Sequence, residues 1–289
     1  MIIDIPDSDD FNNVGLSLIF LAWTKTLDLM IAFEEPLEAK TVKKSKKDRI
    51  RFLECANIEL QVNFTLVLQA VEFFIKARIA KESVFLLLDN LSTGKGSSLT
   101  TKIPFSELKT ISANDLIKIN NALGKNVISE DLEKEINVLR QKRNKIVHSV
   151  DRQLRMNFKE LISTILRFHQ TFFAGEVFFK SYRPYLFNAP TLNTFFNPYS
   201  KIDHNYSSLP ILLVQAIALE KTLSSSEFKK YFGCQKGQKR HYCSPCWGYL
   251  SSEEHFNQRR KTKITYLKTA YREKRNVYRC YVCDAKNEV

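Results

Sequence analysis

The chain has 289 residues, 44% of them hydrophobic and 26% charged, with only eight glycines and eight prolines. That composition excludes a disordered chain and a small peptide scaffold, leaves little room for flexible linkers, and predicts long helices around a large core, divided into two or more domains. The formal net charge is +13, and Lys229 to Val289 supplies most of it, with 15 Lys and Arg against 5 Asp and Glu. Such a segment points to a polyanionic partner, nucleic acid first and an anionic membrane surface second, against the plainer reading of a solvated basic face.

The first ten residues, MIIDIPDSDD, are acidic. They lack the positive start of a secretory signal, so a cytoplasmic protein is expected. Gly15 to Phe33 is apolar, but Lys25 and Asp28 lie in its middle, and each would cost roughly 2.5–3.5 kcal/mol at the centre of a bilayer. A buried helix from about Asn12 to Phe33 is therefore expected, with no membrane partner, ending near Glu35-Pro36 because proline disfavours helical geometry in the residue before it. A basic loop, Lys40 to Lys47, follows. From Cys55 to Ala80 the polar residues Gln61, Thr65, Gln69, Glu72 and Lys76 fall on one narrow helical stripe, which predicts a central helix. Ile58 to Leu66 alternates as a strand would, but the apolar region continues without a turn signal, which favours helix.

Asp89 to Ile111 reads as a loop. Its Gly94-Lys95-Gly96-Ser97 is not a phosphate loop, because Asp89 stands where the leading glycine belongs and Gly96 follows the lysine where Ser or Thr should bind magnesium. Ser112 and Ser129 are expected helix N-caps, the second opening onto Glu130 and Asp131 as the helix dipole favours. The helix it starts spans Glu130 to His148. Asp151 is positioned to cap the next helix, in which Phe158, Leu161, Ile165, Phe168 and Phe172 repeat at three-four spacing. Phe178 to Tyr199 is an aromatic, proline-punctuated stretch expected to pack as a connector, its rings serving the core and not a stacking platform. Leu209 to Lys221 predicts one further helix.

Five of the six cysteines lie in the last 56 residues. Four form two knuckles, Cys243-Ser-Pro-Cys246 and Cys280-Tyr-Val-Cys283, the spacing of a tetrahedral structural Zn2+ site. Disulfides are the alternative and suit an oxidising compartment. The 33 residues between the knuckles leave room for an inserted helix or hairpin between Trp247 and Arg279, and Cys234 and His241 are spare potential ligands. A closed tetrathiolate has no open coordination position and cannot catalyse, so its role is to support a small fold. That fold carries Arg259, Arg260, Lys261, Lys263, Lys268, Arg272, Lys274, Arg275 and Arg279 beside Tyr266, Tyr271 and Tyr278. The mixture suits phosphate contacts and base stacking, without specificity for one sequence.

The run Arg143-Asn144-Lys145-Ile146-Val147-His148 stands out in the helix before. Leu132, Ile136, Leu139, Arg143 and Ile146 share one stripe, so Arg143 interrupts a face that should be apolar and needs either a carboxylate, for which Glu72 is the candidate, or an arriving anion. Arg143, Asn144 and His148 match the Arg-x(4 to 6)-His signature of the HEPN superfamily, often with a polar residue directly after the arginine. The helix ending Gln69-Ala-Val-Glu-Phe-Phe-Ile-Lys-Ala is similar to the long helix that packs against the motif helix in that family. The resemblance covers about residues 12 to 180. It implies an HEPN-like antiparallel helical bundle at 12–180; with the aromatic-rich connector and helix at 181–228 and the basic zinc-ribbon-like domain at 229–289 read from composition and cysteine spacing, the fold expected is mainly α. It also implies a metal-independent endoribonuclease that cleaves RNA at a composite site across a homodimer interface, leaving 2′,3′-cyclic phosphate ends.

In that reading Arg143, Asn144 and His148 are catalytic. His148 moves the proton, Arg143 stabilises phosphate charge, and Asn144 orients the imidazole or contacts phosphate. Residues five apart on a helix differ by about 140°, so Arg143 and His148 do not share a face whereas Asn144 and His148 do; two copies at a dimer interface ease that geometry. Val150 stands where some toxin members carry a tyrosine. The resemblance further implies a toxin or antiphage (abortive infection) effector, with an antitoxin or activating protein as a possible partner. The alternatives are a non-catalytic nucleic-acid-binding adaptor that uses the zinc ribbon, and a ribbon that docks protein.

Overall fold

In a computed structural model, the structure describes residues 1–34, 46–89, 102–148, 155–188, 209–246, 268–274 and 277–288. The chain is mainly helical. Its α-helices among these residues are α1 (Ser8–Glu34), α2 (Lys46–Ser83), α3 (Ala113–Ala122), α4 (Glu130–His148), α5 (Phe158–Phe172), α6 (Phe178–Asn188), α7 (Leu209–Thr222) and α8 (Ser225–Phe232). A parallel pair, β1 (Ile2–Ile3) with β2 (Ile103–Pro104), and an antiparallel sheet of β3 (Arg240–His241), β4 (Ala270–Lys274), β5 (Val277–Cys280) and β6 (Lys286–Glu288) complete it. Contacts divide the chain into one unit of Met1–Lys25 with Leu53–Met156, and a second of Thr26–Phe52 with Asn157–Val289.

In the first unit α2 is the central helix, and Leu60, Phe64, Val67, Leu68, Val71, Phe74 and Ile75 on it are buried. Each such side chain contributes roughly 1.5–3 kcal/mol of apolar transfer. The polar stripe is where its spacing put it, Gln69 exposed and Gln61, Thr65, Glu72 and Lys76 half-buried. The alternation at Ile58 to Leu66 is helical, and it leaves Ile58 and Val62 exposed. Gly15 lets α1 approach α2 closely: a Cβ there would lie 2.5 Å from the Phe74 ring and 3.2 Å from the carbonyl of Ala70. By length and composition α1 and α2 could each cross a membrane, a property they share with buried core helices.

Ser112 caps α3 by accepting from the Asp115 amide, and Ser129 accepts from the amide of Leu132 at the start of α4. Asn121 then fixes the turn between the two helices, donating to the Ile128 carbonyl and accepting its amide. Asp151 lies outside the described residues. The observed cap of α5 is Asn157, whose side chain accepts from Lys159 N at 2.8 Å. Gly94 to Ser97 also lie outside the described residues.

In the second unit the Phe33, Phe52 and Phe158 rings pack together, and His169, Phe178 and Tyr182 form a second aromatic cluster. Phe178 to Asn188 is helical although Pro184 lies inside it; the connector reading needs that correction. The rings do serve the core, since Phe178, Phe179 and Tyr182 are buried. Residues 189–208 lie outside the description. α8 carries a capping box in which Ser224 and Glu227 satisfy each other's ends. The Ser224 hydroxyl, its amide and Lys159 hold the Glu227 carboxyl at about 2.

Two outcomes test this packing. Gly15→Ala gains helix propensity of about 1 kcal/mol but forces the Phe74 ring aside, so net destabilisation of roughly 1–3 kcal/mol is expected in urea; an unchanged or higher midpoint would contradict the close approach. Burial also pushes the His169 imidazole from 6.5 down to about 4. The unfolded chain therefore takes up the proton first, and stability that is complete above pH 6.5 falls by up to ~3 kcal/mol as pH drops toward 4. His169→Phe should flatten that slope, and an equally steep slope in the variant would show that other groups cause it.

Candidate metal centre and motif helix

The sheet brings the two knuckles together. Cys243 follows β3, Cys280 ends β5, and the Sγ atoms of Cys243, Cys246, Cys280 and Cys283 all lie within 4.8 Å of one another. Cys243 and Cys283 are 3.4 Å apart, and Cys246 and Cys280 are 3.8 Å apart. Three of the four are buried. The amides of Val282 and Cys283 donate to Cys280 Sγ at 3.4 Å each, and the Thr269 hydroxyl lies 3.1 Å from the same sulfur. Hydrogen bonds with Cys246, Cys280 and Cys283 pull the Cys243 thiol far down, while their contacts with Cys243 push Cys246 and Cys283 up. Against its burial, hydrogen bonds with Cys246 and Cys283 draw the Cys280 thiol down as well, so a cation that displaces the protons left on Cys246 and Cys283 would be bound by all four sulfurs. The four cysteines can hold a metal ion.

Cys234 and His241, the spare candidates, stand outside this group. Cys234 is fully buried and its thiol is pushed up to about 12 by that burial. The His241 ring lies 4.3 Å from that of Tyr278. Both were plausible only because spacing cannot tell a ligand from a neighbour.

The cysteine module is tied to the helices of its own unit. The Arg240 guanidinium pairs with Glu220 on α7 and lies over the rings of Phe228 and Tyr281, at 5.6 and 5.2 Å. Tyr281, buried between the knuckle cysteines in sequence, donates its hydroxyl to the same Glu220 at 2.8 Å and packs edge-on against Phe228 and Phe232. Lys180 on α6 pairs with Asp284 at 3.7 Å. Sequence reasoning missed this anchor. The Ser224-x-x-Glu227 box was the legible signal for α8, on which it depends.

Of the predicted nucleic-acid residues, Arg272 and Lys274 lie on β4 and are exposed. Arg259, Arg260, Lys261, Lys263 and Arg275 lie outside the described residues, as does Tyr266. Part of the expected insertion between Trp247 and Arg279 is the β4–β5 hairpin. Arg279 is not available to a phosphate: it bonds Asp284 and Glu273, and the bond to Asp284 raises its guanidinium above the ordinary value.

On α4, Ile136 and Leu139 are buried and Arg143 is half-buried. The carboxylate proposed for Arg143 is engaged elsewhere: Glu72 lies 3.8 Å from Arg140 Nε. Arg140 also donates to the carbonyl of Ala113 and to Asn114. Burial lowers its guanidinium, against which Glu72 and Glu133 act. Arg143 instead donates to Asn144 Oδ1 at 3.2 Å, and among the described residues it forms no ion pair. Asn144 is exposed. His148 closes α4, one turn beyond Asn144, and its side chain lies outside the description. Compared with protein families, with curated proteins and with solved structures, the chain gives no match.

Thiol reactivity reads this centre directly. In untreated protein Cys55, exposed on α2, should be the one cysteine rapidly alkylated near neutral pH; a chelator should release four more, and Cys234 should react only on unfolding. Four knuckle thiols as fast as Cys55 before chelation would contradict a metal-holding cluster.

Proposed function

We propose that this chain is a cytoplasmic, homodimeric, metal-independent endoribonuclease of HEPN type whose carboxy-terminal module is held by structural zinc and engages RNA. The observation that carries the reading is the allocation of charge on α4. Arg140 takes Glu72, while Arg143 forms only a neutral bond to exposed Asn144 among the described residues. A half-buried guanidinium without a carboxylate suits an incoming phosphate, to which it can give two parallel hydrogen bonds.

The chemistry follows from the residue types. A 2′-oxygen attacks the adjacent phosphorus and gives up its proton to a base. The bond to the 5′-oxygen breaks, and a proton supplied to that oxygen completes the step, leaving a 2′,3′-cyclic phosphate and a 5′-hydroxyl. An imidazole can serve either proton transfer, and His148 is the residue proposed for it. Arg143 offsets the charge that develops on phosphorus oxygens. Asn144 and His148 occupy helical positions i and i+4, and a second copy of α4 would complete the set. A toxin or antiphage role, restrained or triggered by a partner protein, is the biological setting that the HEPN resemblance suggests.

Zinc is the metal the knuckles fit. A tetrahedron with metal–sulfur bonds of about 2.3 Å has sulfur–sulfur edges of about 3.8 Å, and the observed pairs are 3.4 and 3.8 Å apart. With four thiolates its coordination is closed, so it supports the sheet and takes no part in cleavage. A second reading, an RNA-binding adaptor without catalysis, is favoured by the exposed cations Arg272 and Lys274 beside that module.

The test is cleavage of mixed transfer and messenger RNA in EDTA, with bound zinc verified afterwards. Wild type should produce cyclic phosphate ends, and His148→Ala and Arg143→Gln should each lower the rate on the order of 100-fold or more. Equal cleavage by wild type and His148→Ala would remove His148 from the chemistry, and no cleavage by any form would leave the adaptor.

A further inference from the structure

The two faces of the cysteine-module sheet treat their arginines differently. Paired residues on adjacent strands project to the same side, and the side alternates along each strand. The register pairs Arg272 with Tyr278 and His241 with Ala270, while Arg240, Tyr271, Arg279 and Lys286 form the row between. Arg272, Tyr278 and His241 therefore share one face. The 4.3 Å separation of the His241 and Tyr278 rings agrees.

On the opposite face both arginines are consumed by the fold, while Lys286 is exposed. Arg240 pairs with Glu220, Arg279 with Asp284 and Glu273, and the Tyr271 hydroxyl sits 2.7 Å from where a Cβ on Gly233 would stand. That close approach, together with φ of +76° at the end of α8, requires glycine there. On the first face Arg272 is exposed and forms no ion pair among the described residues. Just ahead of β4, exposed Lys268 lies 5.2 Å from the ring centre of Tyr242, itself 42% exposed.

From this segregation we infer that the Arg272–Tyr278–His241 face, flanked in the chain by Lys268 and Tyr242, is a binding surface for single-stranded RNA, and that Tyr271 and Arg279 are not part of it. The inference rests on the proposed reading that this module engages RNA, and it names the face and the form of RNA. Guanidinium and ammonium groups meet the phosphates, while the tyrosine and histidine rings offer planes against which unpaired bases stack. The T-shaped contact between Tyr278 and His241 braces both rings, so little side-chain freedom is lost on binding. A duplex keeps its bases stacked on one another and cannot use such rings.

The test uses full-length protein and a fluorescent single-stranded 2′-O-methyl RNA of about 12 nucleotides, which resists cleavage through the 2′-oxygen, read by anisotropy between about 50 and 200 mM salt. Arg272→Gln should weaken binding severalfold and reduce the salt slope by about one. Tyr278→Leu should weaken it roughly 5- to 100-fold, with zinc content and circular dichroism unchanged. The same RNA annealed to its complement should bind less tightly. If wild type binds the single strand and Arg272→Gln binds as well with the same salt slope, the face is wrong while the module's RNA reading stands. Equal affinity for the duplex would overturn the single-strand assignment, and no binding of either form by wild type would overturn the inference together with the reading it rests on.

Discussion

The carboxy-terminal sheet depends on the convergence of four sulfurs. Its strands are two to five residues long, too short to bury a core of their own, and small folds of this kind need a cross-link or a metal. The thiols of Cys243, Cys246, Cys280 and Cys283, within 4.8 Å of one another, can supply that cross-link by holding a metal ion. The strands it would tie include the β4–β5 pair, whose register sets Arg272 beside Tyr278. The half-buried Arg240 is the second tie. A guanidinium out of water needs both a carboxylate and a favourable apolar surround, and Glu220 with the Phe228 and Tyr281 rings supplies both.

The same rule of charge allocation organises α4. Two arginines one turn apart compete for one carboxylate, and Arg140 holds it. Arg140 also bonds the start of α3, so it works as a brace between helices. Arg143, tied to Asn144 on the more exposed side, is left as the cation that can answer a phosphate. Across the chain, then, one set of arginines is consumed in holding the fold, and Arg143 and Arg272 stand outside that set among the described residues. This division links the proposed cleavage site to the proposed RNA surface through one physical criterion.

Local signals were the ones legible in the sequence. Ser112 and Ser129 announced their helices because a cap needs only the next three residues, and the helix expected from about Glu130 to His148 is α4. The four cysteines were readable because knuckle spacing is itself a short-range constraint. What needed tertiary register was not legible. Nothing in the stripe of α4 says whether Arg140 or Arg143 faces Glu72, since both lie on neighbouring helical positions. Pro184 and the density of rings made α6 read as a connector, although burial of Phe178, Phe179 and Tyr182 outweighs the missing hydrogen bond. The contrast between Tyr271 and Tyr278 appears only once the strands are paired, because alternate residues serve opposite faces.

The measurement that most directly tests whether four sulfurs hold this module together is zinc X-ray absorption on the purified full-length protein, combined with metal content. One zinc per chain, with four sulfur neighbours at about 2.3 Å and no nitrogen or oxygen in its first shell, is the predicted result. A mixed sulfur and nitrogen shell would bring His241 into the site against the observed geometry, and a folded protein that carries no metal would contradict the claim outright.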